Sequence, residues 1–405
     1  MPSLPDAESA LASGRIRETL MDFHLPEELN EIRDAVRDLC GRYPGSYWRG
    51  LEPDTYPTEF VSALTEAGWL AALIPEQYGG AGLGLTAATV ILEEINASGG
   101  NAGACHAQMY TMGTILRHGS DEQKQRYLPR IASGELRLQA FGVTEPTAGS
   151  DTTRIQTSAE KIDGGYRIRG QKIWTSRALH SDLMLLLART TPLEEAKRNS
   201  DGLSVFLVDM AAAGAALTIR PIKTMMNHAT TEVFLDGVEV PDDALVGEAG
   251  RGFRYVLDGM NAERILIAAE CIGDGRWFIE KATAYASKRV VFGRPIGANQ
   301  AVQFPLARSH VAIQAADLMR YKAAWLFEQG APCGAEANMA KLLASEASWQ
   351  AANACVDTHG GFGFAAEYDV EHKFRETRLY TVAPVSSNLI LAFVGQHVLD
   401  MPRSY

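Results

Sequence analysis

The stretch Phe141-Gly-Val-Thr-Glu-Pro-Thr-Ala-Gly-Ser-Asp151 stands just after the point where the hydrophobic pattern of this 405-residue chain changes. Upstream, from about Pro26 to Gly134, apolar residues such as Ile32 and Val36 recur at steps of three and four residues, which is typical of amphipathic helices. From about Leu138 onward the period becomes two, which is typical of strands with one buried face. The sequence therefore predicts a helical first unit followed by a β-rich unit.

Turn residues subdivide the β-rich unit and mark its end. Turns are predicted at Asp163-Gly-Gly165 and Asp236-Gly237, and the turn Pro241-Asp-Asp243 precedes the return of helical periodicity. The order of units is helices, strands, helices, so we expect an α+β multi-domain chain. We predict an N-terminal extension at 1–21, a helical domain at 22–137, a central β domain at 138–248 and a C-terminal helical domain at 249–405.

The composition is that of a globular protein, with 46% hydrophobic and 21% charged residues. The net charge of −11 argues against nucleic acid and anionic membranes as partners, because phosphate recognition needs an excess of Lys and Arg. Five cysteines without CxxC spacing predict reduced thiols in a cytoplasmic protein and neither disulfides nor a metal site. The first twenty residues resemble neither a secretory signal nor a transit peptide. No glycine cluster fits GxGxxG, which argues against the usual dinucleotide-binding fold.

Two motifs resemble those of the acyl-CoA dehydrogenase family. One is the stretch at 141–151, and the other is Gly170-Gln-Lys-Ile-Trp-Thr-Ser176. Three further motifs follow in the family's order: Ala262-Glu-Arg-Ile265, 288–296 with Gln300, and His359-Gly-Gly-Phe-Gly-Phe364. The resemblance covers roughly residues 22–400. It implies a helical N-terminal domain, a central β-barrel-like domain and a C-terminal four-helix bundle, assembled as a homodimer or homotetramer with FAD lying partly across a subunit interface.

The same resemblance implies a reaction. Enzymes of this family remove an α-proton and a β-hydride from an acyl-CoA, giving a 2-enoyl-CoA; flavin N5 accepts the hydride, and an electron-transferring flavoprotein receives the electrons. The α-carbon is weakly acidic, so the reaction needs a carboxylate base on one face of the substrate.

The position of this base divides the family. In many members it lies in a late segment that here reads Leu379-Tyr-Thr-Val-Ala-Pro-Val-Ser-Ser387, with Pro384 or a neighbour in place of the glutamate. A second group, which includes isovaleryl-CoA and long-chain enzymes, carries the base at the start of the first C-terminal helix, where Glu263 matches. The alternative is that Glu263 is a solvated or salt-bridged carboxylate in a first helical turn, where the helix dipole favours it.

The resemblance also assigns ligand-binding residues. For the flavin ring these are Phe141, Val143, Thr144, Trp174 and Ser176; for the pyrophosphate and adenosine they are Arg289, Phe292, Gln300, Gly360, Gly361, Ser386 and Asn388; for the CoA substrate they are Ser150, Asn261 and Arg264. Simpler alternatives are open for several of them, since Ser and Thr commonly cap turns and strands, a Trp often packs in a core, and a lone Arg is often a surface residue.

Ala102, His106 and Met109 match a helix near the acyl tail, where His106 either limits a long aliphatic chain or is a satisfied core histidine. Two other functions fit the same motifs. One is a flavin oxidase or monooxygenase acting on a substrate that is not a CoA ester. The other is a flavin-free or inactive member that only binds acyl-CoA or a partner subunit.

Overall fold

A computed structural model of the protein describes residues 25–403, so the extension predicted at 1–21 lies outside the described residues. The predicted helical first unit is confirmed, and Ile32 and Val36 are buried on its first helix. Its helices are α1 (Glu27–Cys40), α2 (Gly45–Gly50), α3 (Thr58–Glu66), α4 (Leu85–Ala97), α5 (Gly103–His118) and α6 (Asp121–Ala132).

The central part is a sheet in which the strands run in the order β6-β7-β3-β2-β4-β5-β8, with β1 paired to β4 in parallel. The strands are β1 (Ala140–Gly142), β2 (Ser158–Ile162), β3 (Gly165–Ser176), β4 (Leu183–Arg189), β5 (Leu203–Asp209), β6 (Leu217–Pro221), β7 (Thr230–Pro241) and β8 (Leu245–Val246), with a short helix α7 (Met210–Ala213) after β5.

The two faces of β4 explain its unbroken apolar sequence. Leu183, Leu185 and Leu187 pack against residues of α5 and α6. Met184 and Leu186 point to the opposite side, into a core formed within the curved sheet. Because side chains alternate along a strand, burial of both faces requires an apolar residue at every position.

One predicted turn is wrong. Asp236-Gly237 lies inside β7, where the pairing with β3 shifts register between Ile168 and Arg169. Gly237 has a φ of +76°, a conformation that glycine adopts without a steric penalty. The dipeptide therefore forms a β-bulge in a continuous strand and does not end it.

The C-terminal part is built on three long helices, α8 (Gly252–Lys288), α9 (Gln300–Glu328) and α10 (Gly334–His359), followed by the shorter α11 (Val370–Thr377) and α12 (Ser387–His397). A small hairpin of β9 (Val290–Val291) and β10 (Arg294–Pro295) follows α8. Buried residues of α1, α4, α8, α9 and α10 form one hydrophobic cluster, so the two helical parts share a core. Within residues 25–403, no helix is both long enough and apolar enough to cross a membrane.

Candidate active site

Glu263 lies in the middle of α8. The helix begins at Gly252, so Glu263 is eleven residues from its start, and the predicted first-turn position is wrong. Only 7% of its surface is exposed. Burial raises the pKa of its carboxyl group, and electrostatic interactions with His106, Arg264 and Lys341 oppose this rise. Among residues 25–403, none donates a hydrogen bond to this carboxylate, so Glu263 is buried without the partner that buried charged groups usually have.

Helix α5 supplies the wall opposite Glu263. His106 and Tyr110 lie one turn apart on α5, and Nδ1 of His106 is 2.7 Å from Oε1 of Glu270 on α8. Burial raises the pKa of Tyr110, and the charge of Glu263 raises it further. His106 therefore has a partner at one nitrogen, while its Nε2 is buried without a hydrogen bond from any described residue. Ala102 and Met109, also predicted near the acyl tail, are buried.

The segment 379–387, predicted as the alternative position for the base, is bound by Lys341, whose charge also acts on Glu263. Lys341 of α10 donates from Nζ to the carbonyl oxygens of Tyr380 and Val385, the second at 2.9 Å. The hydroxyl of Tyr380 donates to Oε2 of Glu270 at 2.8 Å. This segment, 379–387, contains no Asp or Glu. It supplies backbone acceptors to Lys341 and a phenol to Glu270, and it contributes no carboxylate.

The flavin-ring residues predicted from the two motifs lie together. The backbone amide of Ile173 donates to the carbonyl oxygen of Thr144 at 2.9 Å, which joins the first motif to β3. A register shift between Lys172 and Thr175 gives Trp174 a φ of +61° and leaves its side chain 58% exposed. Thr144 and Ser176 are half-buried beside it. Core packing of Trp174 is therefore excluded, and its ring is available to a planar ligand.

A buried ion pair fixes this arrangement. Nζ of Lys172 lies 2.8 Å from Oε1 of Glu145 and donates to the carbonyl oxygen of Val143 at 3.1 Å. The same carboxylate accepts the backbone amides of Gln156 at 2.6 Å and Thr157 at 2.9 Å. Burial lowers the pKa of Lys172 to about 8, although Glu145 opposes the fall. Sequence reasoning missed this pair, although both residues stand inside the quoted motifs.

The residues predicted for pyrophosphate and adenosine form a separate group. The guanidinium of Arg289 lies 5.9 Å from the ring centre of Phe362, and Phe292 in the hairpin is fully exposed. Gln300, Gly360 and Gly361 are exposed as well. Arg289 follows Glu263 by 26 residues, which corresponds to about 39 Å along a helix. Arg289 therefore lies at the far end of α8 from Glu263.

The remaining predicted residues have local partners or face solvent. Oγ of Ser386 caps α12 by accepting the backbone amide of Leu389 at 3.4 Å, and Asn388 is exposed. Nη1 of Arg264 donates to Oδ1 of Asn261 at 3.1 Å. Ser150 is exposed in the loop that follows the first motif. These contacts leave the predicted role of Ser386 weaker than that of Asn261 and Arg264, which lie on the same helix as Glu263.

A further charged residue at the site was not predicted. Arg177 directly follows the motif at 170–176 and is 6% exposed, with a φ of +60°. Its place next to that motif was the available signal. Its burial could not be read from the sequence, because the residues that cover it come from distant segments.

Three domain families match the chain in order: the acyl-CoA dehydrogenase N-terminal domain at 26–135, the middle domain at 140–238 and the C-terminal domain at 250–399. An acyl-CoA dehydrogenase of Mycobacterium bovis is 36% identical over 94% of this chain and 98% of the relative. Glutaryl-CoA dehydrogenase of Desulfococcus multivorans is 33% identical over 95% of this chain and 100% of the relative. The solved glutaryl-CoA dehydrogenase in complex with glutaryl-CoA matches with a TM-score of 0.87 at 30% identity, covering 95% of this chain and 98% of that one.

Proposed function

Because the chain belongs to the acyl-CoA dehydrogenase family, whose enzymes are FAD-dependent oxidoreductases, we propose that Glu263 removes the α-proton of an acyl-CoA that is desaturated to a 2-enoyl-CoA. The observation that carries this proposal is the buried carboxylate of Glu263, which has no hydrogen-bond donor among the described residues. A dry carboxylate with a raised pKa holds a proton more readily than a solvated one. The segment 379–387 contains no carboxylate, so it offers no alternative catalytic base to Glu263.

The residues of the central domain fit the ring of FAD. When bound, FAD supplies the acceptor at N5 for the hydride that leaves the β-carbon. The exposed face of Trp174 would cover the ring, and the hydroxyls of Thr144 and Ser176 would donate to its edge. Phe141 and Val143 would add contacts from the first motif. The carbonyl oxygen of Val143 already accepts from Lys172, so its remaining contact would be through its amide or side chain.

We propose that the second group of cofactor residues serves a partner subunit in a homodimer or homotetramer. About 39 Å of helix separates Arg289 from Glu263, so this group lies far from the proposed site of proton removal in the same chain. The guanidinium of Arg289 suits a pyrophosphate because its donors are forked. Exposed Phe292 and the open backbone at Gly360 and Gly361, where an added Cβ would meet nothing within 4 Å, leave room for a second chain and its cofactor.

The substrate and electron partner complete the proposal. Ser150, Asn261 and Arg264 would contact the pantetheine arm and CoA, with Asn261 orienting the guanidinium of Arg264. The electrons would pass to an electron-transferring flavoprotein. A cytoplasmic, reducing location agrees with five cysteines that are all free.

The test is anaerobic titration of the FAD-loaded protein with a panel of acyl-CoAs. Wild type should lose its yellow absorbance, while Glu263→Gln should bind FAD and reduce it about a hundred- to ten-thousand-fold more slowly, the range of general-base contributions. Glu280→Gln is the matched control, because Glu280 lies on the same helix but is exposed. Bleaching of Glu263→Gln at the wild-type rate would show that the base is elsewhere. Oxygen consumption without a mediator would favour an oxidase.

A further inference from the structure

A small polar cavity lies between the start of α5, the loop before α3, the segment 227–229 and α11. Its wall includes Tyr56, Asn101, Arg177, His228, His372 and Glu376. The space open to the centre of a water-sized sphere is about 30 Å³. One water needs about 10–15 Å³ by this measure, so the cavity holds a group of two or three heavy atoms.

Arg177 is the cation of this cavity that lacks a carboxylate. Within residues 25–403, no Asp or Glu lies within ion-pair distance of its guanidinium, and Nη2 is 3.4 Å from Nδ1 of His228. Burial lowers the pKa of His228, and the charge of Arg177 lowers it further, so His228 is neutral and its nitrogen can accept.

The acids in the wall are engaged by other cations. Oε2 of Glu376 is 3.1 Å from Nζ of Lys373, and Oε2 of Glu52 is 3.1 Å from Nη1 of Arg375. Glu270, the acid whose charge reaches Arg177, contacts His106 and Tyr380. A buried guanidinium without a paired anion is costly, so this arrangement calls for an anion supplied from outside the chain.

Helix α5 runs from the cavity toward Glu263, since Arg177 lies against Gly103 and Tyr110 interacts electrostatically with Glu263. The guanidinium of Arg177 packs against Gly103, where any side chain would collide with it. Gly103, His106 and Tyr110 share one face of α5, since residues three and four apart lie above one another. Tyr110 is within electrostatic reach of both Arg177 and Glu263. Tyr110 follows Gly103 by seven positions, which corresponds to about 10.5 Å along the helix axis.

We propose that Arg177 binds a carboxylate at the far end of the acyl group, so that the substrate is a medium-length ω-carboxyacyl-CoA. This inference rests on the proposed dehydrogenation by Glu263 and specifies its substrate class. The forked donors of Arg177 match a carboxylate, and the cavity has the size of that group. The distance of roughly two helical turns leaves several carbons between the reacting α-carbon and the carboxylate. An acyl chain ending in a methyl group would leave the guanidinium buried and unpaired.

The experiment compares anaerobic flavin reduction by glutaryl-, adipoyl- and pimeloyl-CoA with reduction by pentanoyl-, hexanoyl- and heptanoyl-CoA. Wild type should prefer at least one ω-carboxy thioester over every unsubstituted one. Arg177→Gln should lower the second-order rate constant for that thioester about ten- to a hundredfold, the loss expected for a hydrogen bond to a charged group. Arg177→Lys keeps the charge without the fork and should recover part of the preference. Arg167→Gln, on β3 but at the surface, should change nothing.

The outcomes separate the two proposals. Wild type that reduces its flavin faster with unsubstituted chains would overturn the role of Arg177 and leave the dehydrogenation intact. An Arg177→Gln variant that keeps the full ω-carboxy preference would also overturn it. If none of the six thioesters bleached the wild-type flavin while other acyl-CoAs did, the proposal that Arg177 binds an ω-carboxylate of the substrate would also be refuted. Failure of every acyl-CoA in the wider panel would refute the dehydrogenation itself.

Discussion

The ion pair between Lys172 and Glu145 gives a stability prediction with a built-in control. Lys172→Met removes a cation that is 0% exposed and leaves the carboxylate of Glu145 without it. Breaking a buried pair from one side costs about 3–5 kcal/mol. We expect the low end of that range, because the amides of Gln156 and Thr157 still donate to the carboxylate. At about 2 °C per kcal/mol for a large chain, the thermal midpoint should fall by roughly 6 °C.

The control lies on the same strand. Nη2 of Arg167 is also 2.8 Å from a carboxylate oxygen, that of Glu239, but these side chains are 36% and 58% exposed. Exposed pairs contribute about 0–1 kcal/mol, so Arg167→Met should shift the midpoint by at most about 2 °C. Circular dichroism melts at saturating FAD measure both variants. Equal falls in the thermal midpoint of the Lys172→Met and Arg167→Met variants would refute the reasoning from burial. So would a double variant, Glu145→Gln with Lys172→Met, whose thermal midpoint is no higher than that of Lys172→Met alone.

Two further predictions concern the site. The rate of flavin reduction in single turnovers should fall as the pH drops through the pKa of Glu263, which burial holds above the usual 4.5. The reason is that Glu263 must be ionised to accept a proton. A rate that falls only at the pH of an ordinary carboxyl group would contradict this prediction. Phe292→Asp should weaken subunit association and FAD retention, because a charge would replace a fully exposed aromatic side chain in the hairpin. Sedimentation measures the first and the flavin-to-protein ratio the second. If neither value changed, the hairpin would not contact a partner subunit.

Features that depend only on a local sequence pattern could be predicted from the sequence. The helical period of α1 placed Ile32 and Val36 in the core, as the structure has them. The Asp236-Gly237 dipeptide has the local signal of a turn, but its outcome was decided by pairing with β3, which no window around it contains. The residue Glu263 could be named from its motif. Its burial could not, because groups that act on its carboxylate, His106 of α5 and Lys341 of α10, are distant in sequence.

The same limit applies to the charged residues that the sequence did not single out. Glu145 and Lys172 are 27 residues apart, and both belong to motifs that were read only as cofactor contacts. The environment of Arg177 depends on Gly103, which leaves space for the guanidinium, and on His228, which lies beside it. The burial and pairing of a charged residue cannot be read from its motif alone, because both depend on contacts with distant segments of the folded chain.

Lys341 connects the segment 379–387, the alternative position considered for the base, with the proposed base Glu263. Lys341 holds the carbonyl oxygens of Tyr380 and Val385, and its charge also acts on Glu263. If 379–387 carried a second carboxylate, two like charges would share this space, and one of them would stay protonated. A single carboxylate avoids this conflict. The proposed base Glu263 is held by the continuous backbone of α8, while the segment 379–387 is held by hydrogen bonds from Lys341.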